Sequence, residues 1–336
     1  MKRRVLARKR KRKKLIRRMI AVFILTLAII GGSLSYLYYQ TTEASNNAYN
    51  DLNREKSDLR VENVSISDDP ISVLLMGVED YATGGSHGRA DTIMVATFNQ
   101  TEETMKLVSI PRDTLVTIAG KGTEDKINHS FAFGGPKMTI ETVEEFLDIP
   151  IDYYATINFQ GFENIIDIAG GVPVEVPFNF TEKNADESEI LHYIEGDMVL
   201  DGEEALGYVR MRKQDPRGDL GRADRQKQVM KSLISQLTKP GSLLKVDDLT
   251  DEVGNNVTTN LQIPELLAFY KQYKDFNVDN IKQLNLSGEG VRYNGIYYYS
   301  VYESSINEVR QSLRSHLEME QSLSAGSDEK TGTMIP

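Results

Sequence analysis

Arginine and acidic residues lie side by side where predicted strands end. Glu79 and Asp80 follow a buried strand predicted over 71–77, and Arg89 and Asp91 open the next strand. Loops at strand ends are where open α/β sheets bind ligands. Glu79 or Asp80, together with Asp91, could hold Mg²⁺, which takes one or two carboxylates plus phosphate oxygens; Mn²⁺ is a second candidate. A surface ion pair between Arg89 and Asp91 is the simpler alternative.

Two further loops carry cations. Pro111 ends a predicted strand, so that Arg112 projects from its tip beside Asp113. Lys126 and Asn128 lie near a predicted helix start, where backbone N–H groups favour an anion. The structural alternatives are a turn-stabilising salt bridge for Arg112 and Asp113 and a helix cap for Asn128.

The densest group of cations lies in residues 207–228. Its basic residues are Arg210, Arg212, Lys213, Arg217, Arg222, Arg225 and Lys227. Arg210 and Arg212 share a face only if the chain is extended there. Arg222, Arg225 and Gln226 are spaced to line one side of a helix, and arginine forks match phosphate oxygens two at a time. A solvated charged face is the alternative.

The charge of the chain is divided unevenly. The whole sequence has 39 basic and 49 acidic residues, and twelve of the basic ones lie in residues 1–18, which contain no acidic residue. The body that follows is therefore strongly acidic. Such a body argues against nonspecific binding of duplex DNA, which needs a broad basic face, and we expect no nucleic-acid partner.

An uncharged run over 19–39 follows the basic arm. A helix of this length spans about 30 Å, the thickness of a bilayer core, and three tyrosines lie at its far end. The positive-inside rule predicts a cytoplasmic arm over 1–18, a single transmembrane anchor and an extracellular domain, as in a Gram-positive type of envelope. The alternative is a signal peptide cleaved near 33–35, although the uncharged run continues beyond that point.

Taken together, four cation-bearing loops in an acidic body predict a diphosphate site assisted by Mg²⁺. ATP is scarce outside a cell, so a lipid diphosphate is the natural candidate.

Other chemistries have weaker signals. The chain has no cysteine, no P-loop and no HExxH motif. Ser86 lies in a GxSxG match, but no strand precedes it and no helix follows it, so a flexible loop is favoured over a nucleophile.

The elements that must position these loops alternate between strands and helices without a regular repeat. This pattern predicts an α/β fold, an α-β-α sandwich with a mixed central sheet, and no internal repeat. We predict a stalk over 40–70, a catalytic domain over 71–320 whose motifs lie in 71–230, and a disordered tail over 321–336. The alternative for the stalk is a first helix packed on the domain.

The chain resembles the LytR-CpsA-Psr family of bacterial cell-envelope proteins. The resemblance rests on the order and spacing of several motifs, namely GVED, GRADT, SIPRDT, DKINHSFAFGG, LDGEEALGYVRMR and DPRGDLGRADRQ. It implies transfer of a glycopolymer, such as teichoic acid or capsule, from undecaprenyl diphosphate to peptidoglycan at the membrane. It also implies that the acceptor is the C6 hydroxyl of N-acetylmuramic acid, and that an apolar cleft, to which residues 131–168 could contribute, holds the polyprenyl chain.

The resemblance also assigns roles to residues. The diphosphate would be bound by Arg89, Arg112, Lys126, Arg210, Arg212, Arg222 and Gln226. Asp91 and the acidic residue after Gly-Val would hold the metal; the family often has Asp there, whereas this chain has Glu79 followed by Asp80. For the mechanism itself, we hypothesise that a carboxylate, Asp91, Asp113 or Glu79, accepts the proton of the attacking hydroxyl. Hydrolysis of the lipid diphosphate and membrane-bound attenuation of transcription are the competing functions.

Overall fold

The computed structural model describes residues 48–79, 88–237, 256–273 and 276–319. The predicted arm, anchor and tail and the candidate metal ligand Asp80 lie outside these residues. Among the helices of the described ranges, none is both long enough and apolar enough to span a bilayer.

A six-stranded mixed sheet forms the centre of the fold. Its strands, in spatial order, are β11 (Val257–Thr259), β6 (Tyr153–Ile157), β1 (Ile71–Glu79), β2 (Arg89–Asn99), β3 (Thr104–Ser109) and β12 (Ile281–Asn285). The pairs β1–β6 and β3–β12 are parallel, and the other three pairs are antiparallel. The predicted mixed sheet is thus confirmed. The β-rich runs at 92–99 and 104–110, separated by a polar break at 100–103, also predict an antiparallel pair, and β2 and β3 form it.

Four two-stranded ribbons surround the sheet. They are β4 (Leu115–Ile118) with β5 (Thr123–Lys126), β7 (Val172–Val176) with β10 (Gly196–Leu200), β8 (Phe180–Lys183) with β9 (Ile190–Tyr193), and β13 (Gly288–Tyr293) with β14 (Ile296–Val301). Asn294 and Gly295 connect the last pair with positive φ values of 52° and 81°. Such a two-residue turn matches the twist of a hairpin and selects Asn-Gly.

Six α-helices lie within the described ranges. They are α1 (His129–Leu147), α2 (Phe159–Ala169), α3 (Gly202–Arg210), α4 (Asp219–Leu237), α5 (Ile263–Tyr273) and α6 (Glu303–His316). The sequence predicts α1 only from Pro136, but a helical turn already begins at His129. Gly134 and Gly135 have non-helical backbone angles and kink α1 directly before Pro136, whose ring suits the first turn of a new helical segment.

Helices cover both faces of the central sheet. Leu74 and Met76 of β1 face a core that includes Val143 of α1 and Leu313 of α6. On the other face, apolar side chains of β2 and β3 contact α4, and those of β1 and β6 contact α5. This division follows from the alternation of side chains along a strand. Helices α2, α3 and α4 and ribbon β7–β10 share a further apolar cluster.

Residues 48–70, the described part of the predicted stalk, lie on the domain. Ser57 is buried, and its hydroxyl donates to Glu144 over 2.6 Å. Arg60 forms a bidentate ion pair with Asp152, with N–O distances of 2.7 and 2.9 Å. These contacts match the docked alternative rather than a free spacer, although residues 50–66 form turns instead of the helix that the alternative supposed.

His316, at the end of α6, gives the domain a predictable response to acid. Its ring is buried between Thr97 and Thr104, whose hydroxyl oxygens lie 2.7 and 2.9 Å from Nδ1 and Nε2. Burial, with the charge of Lys106 as a smaller cause, lowers the pKa of His316 from 6.5 to about 4. Between pH 6.5 and about pH 4, His316 is therefore protonated in the unfolded chain and neutral in the folded chain.

We therefore expect His316 to lower the free energy of unfolding by up to about 1.4 kcal/mol for each pH unit as the pH drops from 6.5 towards 4. Urea unfolding of the wild type and of His316→Gln at pH 7 and pH 5 measures the effect. The wild type should lose more stability than the variant over this interval. Equal losses in the two proteins would show that His316 does not cause the acid sensitivity.

Candidate functional site

A β-bulge aims two side chains of β2 at one cavity. Gly77 of β1 pairs with Thr92, but the next residue of β1 pairs with Ala90, which leaves Asp91 as the extra residue. A bulge changes which way side chains point. Asp91 and Thr92 consequently both line the cavity, whereas Ala90 and Ile93 belong to the core on the opposite face of the sheet.

This first cavity has a volume of about 590 Å³ and a largely apolar wall. Strands and helices contribute Leu75, Met94, Ala155, Ile157, Phe162, Ile165, Leu206, Val209, Met230 and Leu233. Of the predicted cleft residues 131–168, several from 155 onward line the cavity, among them Ala155, Phe162 and Ile165. Ile140 and Val143, by contrast, lie in the core on the other side of the sheet.

Charged side chains also line this first cavity, beside its apolar wall. Five are cations, namely Arg112, Arg210, Arg212, Lys213 and Arg222, and three are carboxylates, namely Glu79, Asp91 and Glu182. The structure therefore brings together arginines from the β3–β4 turn, from the end of α3 and from the start of α4, and the lining has an excess of two positive charges. An apolar cavity with an excess of guanidinium groups suits an amphiphile with an anionic head.

Helix α3 positions two of these arginines by ending between them. Asp201 and Glu204 form a capping box at its start, and Arg210 is its last residue. Met211 then has an extended conformation, with φ of −55° and ψ of 132°, so that Arg212 also reaches the cavity. The guanidinium of Arg210 lies 5.0 Å from the centre of the Phe159 ring, a cation–π distance.

Arg112 lies on the turn between β3 and β4. Its Nη1 donates to Asp91 over 2.7 Å, and its Nε lies 3.8 Å from Asp113. Thr114 closes the turn with two hydrogen bonds to the Pro111 carbonyl, at 2.6 and 2.9 Å. The guanidinium is therefore held in place before a ligand arrives.

A second cavity, of about 480 Å³, shares Arg112 and Arg212 with the first. Asp113 and Lys126 also line it, and Lys126 Nζ lies 2.7 Å from the Asp113 carboxylate. The predicted residues are thus divided between two neighbouring cavities, one largely apolar and one lined mainly by charged groups.

Two side chains of the second cavity were missed by the sequence analysis. Arg292 and Tyr297 come from hairpin β13–β14, which lies within the predicted catalytic domain but outside its motifs at 71–230. Asn294-Gly295 between two β-rich runs indicates the hairpin. Nothing in the sequence indicates which cavity the hairpin would face.

Neither Arg89 nor Asn128 is among the described residues that line the two cavities. Arg89 is the exposed first residue of β2, paired with Glu79. Asn128 is buried at the N-cap position of α1, but its side chain forms no capping bond. Its backbone N–H donates to the Arg112 carbonyl over 3.2 Å, so it supports the arginine turn from behind.

Arg225 was predicted to bind substrate, but the structure places it outside the lining of both cavities. Its side chain is only 2% exposed and forms an ion pair with Asp215. Nε also donates to the Tyr208 carbonyl over 3.0 Å, and Nη2 donates to the Met211 carbonyl. Arg222 and Gln226, one turn apart, face the cavity, whereas Arg225 points at the end of α3.

Gly221 permits this buried ion pair. It lies in the first turns of α4, against the loop that carries Asp215. A Cβ atom at position 221 would collide with the Asp215 carboxylate. The glycine is therefore required by close approach, not by an unusual backbone angle.

The described residues fit a divalent cation only in part. Glu79 and Asp91 line the first cavity from adjacent strands, while none of the described residues form a group of three or more acidic or histidine side chains. One Asp91 oxygen already accepts from Arg112. Two carboxylates suit Mg²⁺ when phosphate oxygens and water complete its shell, so the donor set fits a metal that arrives with a phosphorylated ligand.

The fold and the site define a mixed α/β protein built to hold an amphiphile with an anionic head. The chain belongs to the LytR_cpsA_psr family, whose model matches residues 35–315. It is similar to the polyisoprenyl-teichoic acid–peptidoglycan teichoic acid transferase TagV of Bacillus subtilis (strain 168), with 42% identity over 320 residues, which cover 94% of this chain and 82% of TagV.

Solved structures of relatives have the same fold. The crystal structure of B. subtilis TagV matches with a TM-score of 0.67 and 42% identity, over 74% of this chain and 98% of that one. The family protein YwtF (TagT) with bound octaprenyl pyrophosphate lipid matches with a TM-score of 0.61 and 31% identity, over 79% of this chain and 97% of that one.

Proposed function

We propose that the protein transfers a glycopolymer of the teichoic acid or capsule type from a polyprenyl diphosphate, such as undecaprenyl diphosphate, to peptidoglycan. One observation carries this proposal: an apolar cavity whose lining includes four arginines. The apolar wall suits a polyprenyl chain, and the guanidinium forks suit a diphosphate. The name of TagV and the lipid bound to TagT support the same assignment.

The arginines would act on the charge that develops during transfer. An acceptor hydroxyl attacks the sugar-side phosphorus, and the bond from that phosphorus to the bridging oxygen breaks. Negative charge then grows on the departing polyprenyl phosphate, where Arg112 and Arg212 can stabilise it. Because the turn of Arg112 is held by hydrogen bonds, little reorganisation is needed at that moment.

Glu79 and Asp91 are the residues that would hold Mg²⁺ in this proposal. A bound Mg²⁺ would supply further neutralisation of the diphosphate charge.

The predicted arrangement at the membrane is part of the same proposal. An anchor over 19–39, with the arm over 1–18 in the cytoplasm, would keep the domain outside the cell beside its lipid substrate.

Product analysis tests the function. The full-length protein in lipid vesicles is given a polyprenyl-diphosphate-linked saccharide, with and without peptidoglycan oligosaccharides. We expect the saccharide to become linked to peptidoglycan through one phosphate, with release of polyprenyl phosphate. Equal consumption of the lipid without an acceptor would identify a hydrolase instead, and no consumption at all would refute both activities.

The metal makes a separate prediction, because two carboxylates alone bind Mg²⁺ weakly. We expect Mg²⁺ affinity, measured by calorimetry, to rise about tenfold or more when polyprenyl diphosphate is present. Glu79→Gln should remove most of this gain. Glu195→Gln, which neutralises an exposed carboxylate outside both cavities, should retain it. Equal gains in both variants would exclude Glu79 as a ligand.

A further inference from the structure

We infer that the second cavity binds the acceptor saccharide, and that Arg292 and Tyr297 of hairpin β13–β14 recognise it. This inference rests on the proposed function, because an acceptor site has meaning only for a transferase. It assigns a role to the hairpin, which no motif of the sequence singled out.

Charge and chemistry identify the class of ligand. Four cations line the second cavity, namely Arg112, Lys126, Arg212 and Arg292, against the single carboxylate of Asp113. The cavity is therefore suited to an anionic, hydroxyl-rich molecule. Tyr297 adds an amphipathic ring that can contact a sugar ring with its face and a hydroxyl with its own O–H. A peptidoglycan fragment, with its sugar rings and peptide carboxylates, has this chemistry.

The register of the hairpin places its two recognition residues side by side. Arg292 and Tyr297 are directly opposite each other in the antiparallel β13–β14 pair. Side chains of a directly opposed pair project from the same face of the ribbon, about 5 Å apart at Cβ. One face of the hairpin thus presents a guanidinium and a phenol together to the cavity.

The hairpin is fixed to the turn that carries Arg112. The backbone N–H of Tyr299 donates to the Asp113 carbonyl over 2.8 Å, and Thr114 and Tyr299 form a parallel bridge. The buried Tyr299 hydroxyl donates to the Leu286 carbonyl over 3.1 Å. A saccharide held by the hairpin would therefore have a fixed position relative to a diphosphate held by Arg112.

The relative position of the two cavities suits in-line transfer. The first cavity takes the lipid, and Arg112 and Arg212 line both cavities, so the second opens from the same guanidinium pair. Attack on phosphorus comes from the side opposite the leaving group. The acceptor oxygen forms the new bond to phosphorus, and the electron pair of the broken bond leaves on polyprenyl phosphate. The hydroxyl proton passes to Asp113, the carboxylate that lines this cavity.

The test separates the two substrates kinetically. Arg292 and Tyr297 are both exposed, so Arg292→Ala and Tyr297→Ala should fold normally. In the vesicle assay we expect each variant to raise the KM for the peptidoglycan oligosaccharide about tenfold or more. The KM for the lipid donor should stay within about twofold of wild type. Tyr302→Ala, which removes an exposed tyrosine outside the cavity, is the matched control and should change neither KM.

Two results would overturn the inference while leaving the proposed function intact. One is an unchanged acceptor KM in both hairpin variants. The other is a hairpin variant that binds the saccharide-linked donor more weakly than wild type but binds bare polyprenyl diphosphate equally well. The second cavity would then hold the donor sugars. A wild type that transfers nothing to peptidoglycan would overturn the proposed function, and the inference with it.

Discussion

Replacing Arg112 with alanine should lower the kcat of glycopolymer transfer by about 10²- to 10³-fold. Arg112 lines both cavities and is held by Asp91 on a closed turn, so its charge is in place where the leaving phosphate develops negative charge. Removing one such preorganised donor from an active site typically costs about 3–4 kcal/mol of transition-state stabilisation. The substitution also frees the Asp91 carboxylate, which adds repulsion against a diphosphate.

Two comparisons make this result specific. Arg112→Lys keeps the charge but loses the two-pronged fork, so we expect it to recover only part of the rate. Arg314→Ala removes an arginine of α6, on the opposite face of the sheet, and should leave the rate unchanged. Rates are measured at saturating lipid and acceptor. If Arg112→Ala transfers as fast as wild type, Arg112 does not stabilise the transition state.

Replacing Arg225 with alanine should destabilise the domain by about 3–5 kcal/mol. The substitution removes the buried cation that pairs with the Asp215 carboxylate, which is 1% exposed, and leaves only the exposed Arg217 at 4.0 Å. Breaking a buried pair from one side carries a cost of this size. The carbonyls of Tyr208 and Met211 lose their donors as well. Because these groups join the end of α3 to α4, the positions of Arg210 and Arg222 depend on the same contact.

Urea unfolding measures the loss, with Arg217→Ala as the matched control. Arg217 pairs with Asp224 at 2.7 Å and reaches the Asp215 carboxylate only at 4.0 Å. Because its side chain is 56% exposed, its removal should cost no more than about 1 kcal/mol. Replacing both buried partners by apolar residues, as in Arg225→Met with Asp215→Leu, should recover stability relative to Arg225→Ala. An Arg225→Ala variant that keeps its stability but loses affinity for polyprenyl diphosphate would return Arg225 to the ligand site, as the sequence predicted.

Local pattern was sufficient for much of the fold. The apolar run at 71–77, the β-rich runs around a polar break at 100–103 and the helix predicted over 202–209 each carry their own signal. These elements occur in the structure with ends shifted by a few residues. The helix over 129–147 was predicted too short, because two glycines interrupt the backbone angles without ending the helix.

For the candidate site, the sequence predicted the types of residue but not their arrangement in space. The sequence indicated that arginines at element ends would bind phosphate, because the residue types and the places where strands end are local facts. It could not indicate which arginines face the same space. Helical spacing puts Arg222, Arg225 and Gln226 on one side of α4, but only the position of α3 decides that Arg225 is buried against backbone carbonyls.

The sequence by itself therefore determined the class of ligand, through the chemistry of guanidinium and carboxylate groups and through the family to which its motifs belong. The tertiary structure alone decided that there are two neighbouring cavities, that Arg112 and Arg212 line both, and that Arg292 and Tyr297 join Lys126 and Asp113. The physical reason is distance along the chain. A contact between Asp113 and a hairpin nearly two hundred residues later is set by how the sheets pack, and no local periodicity encodes it.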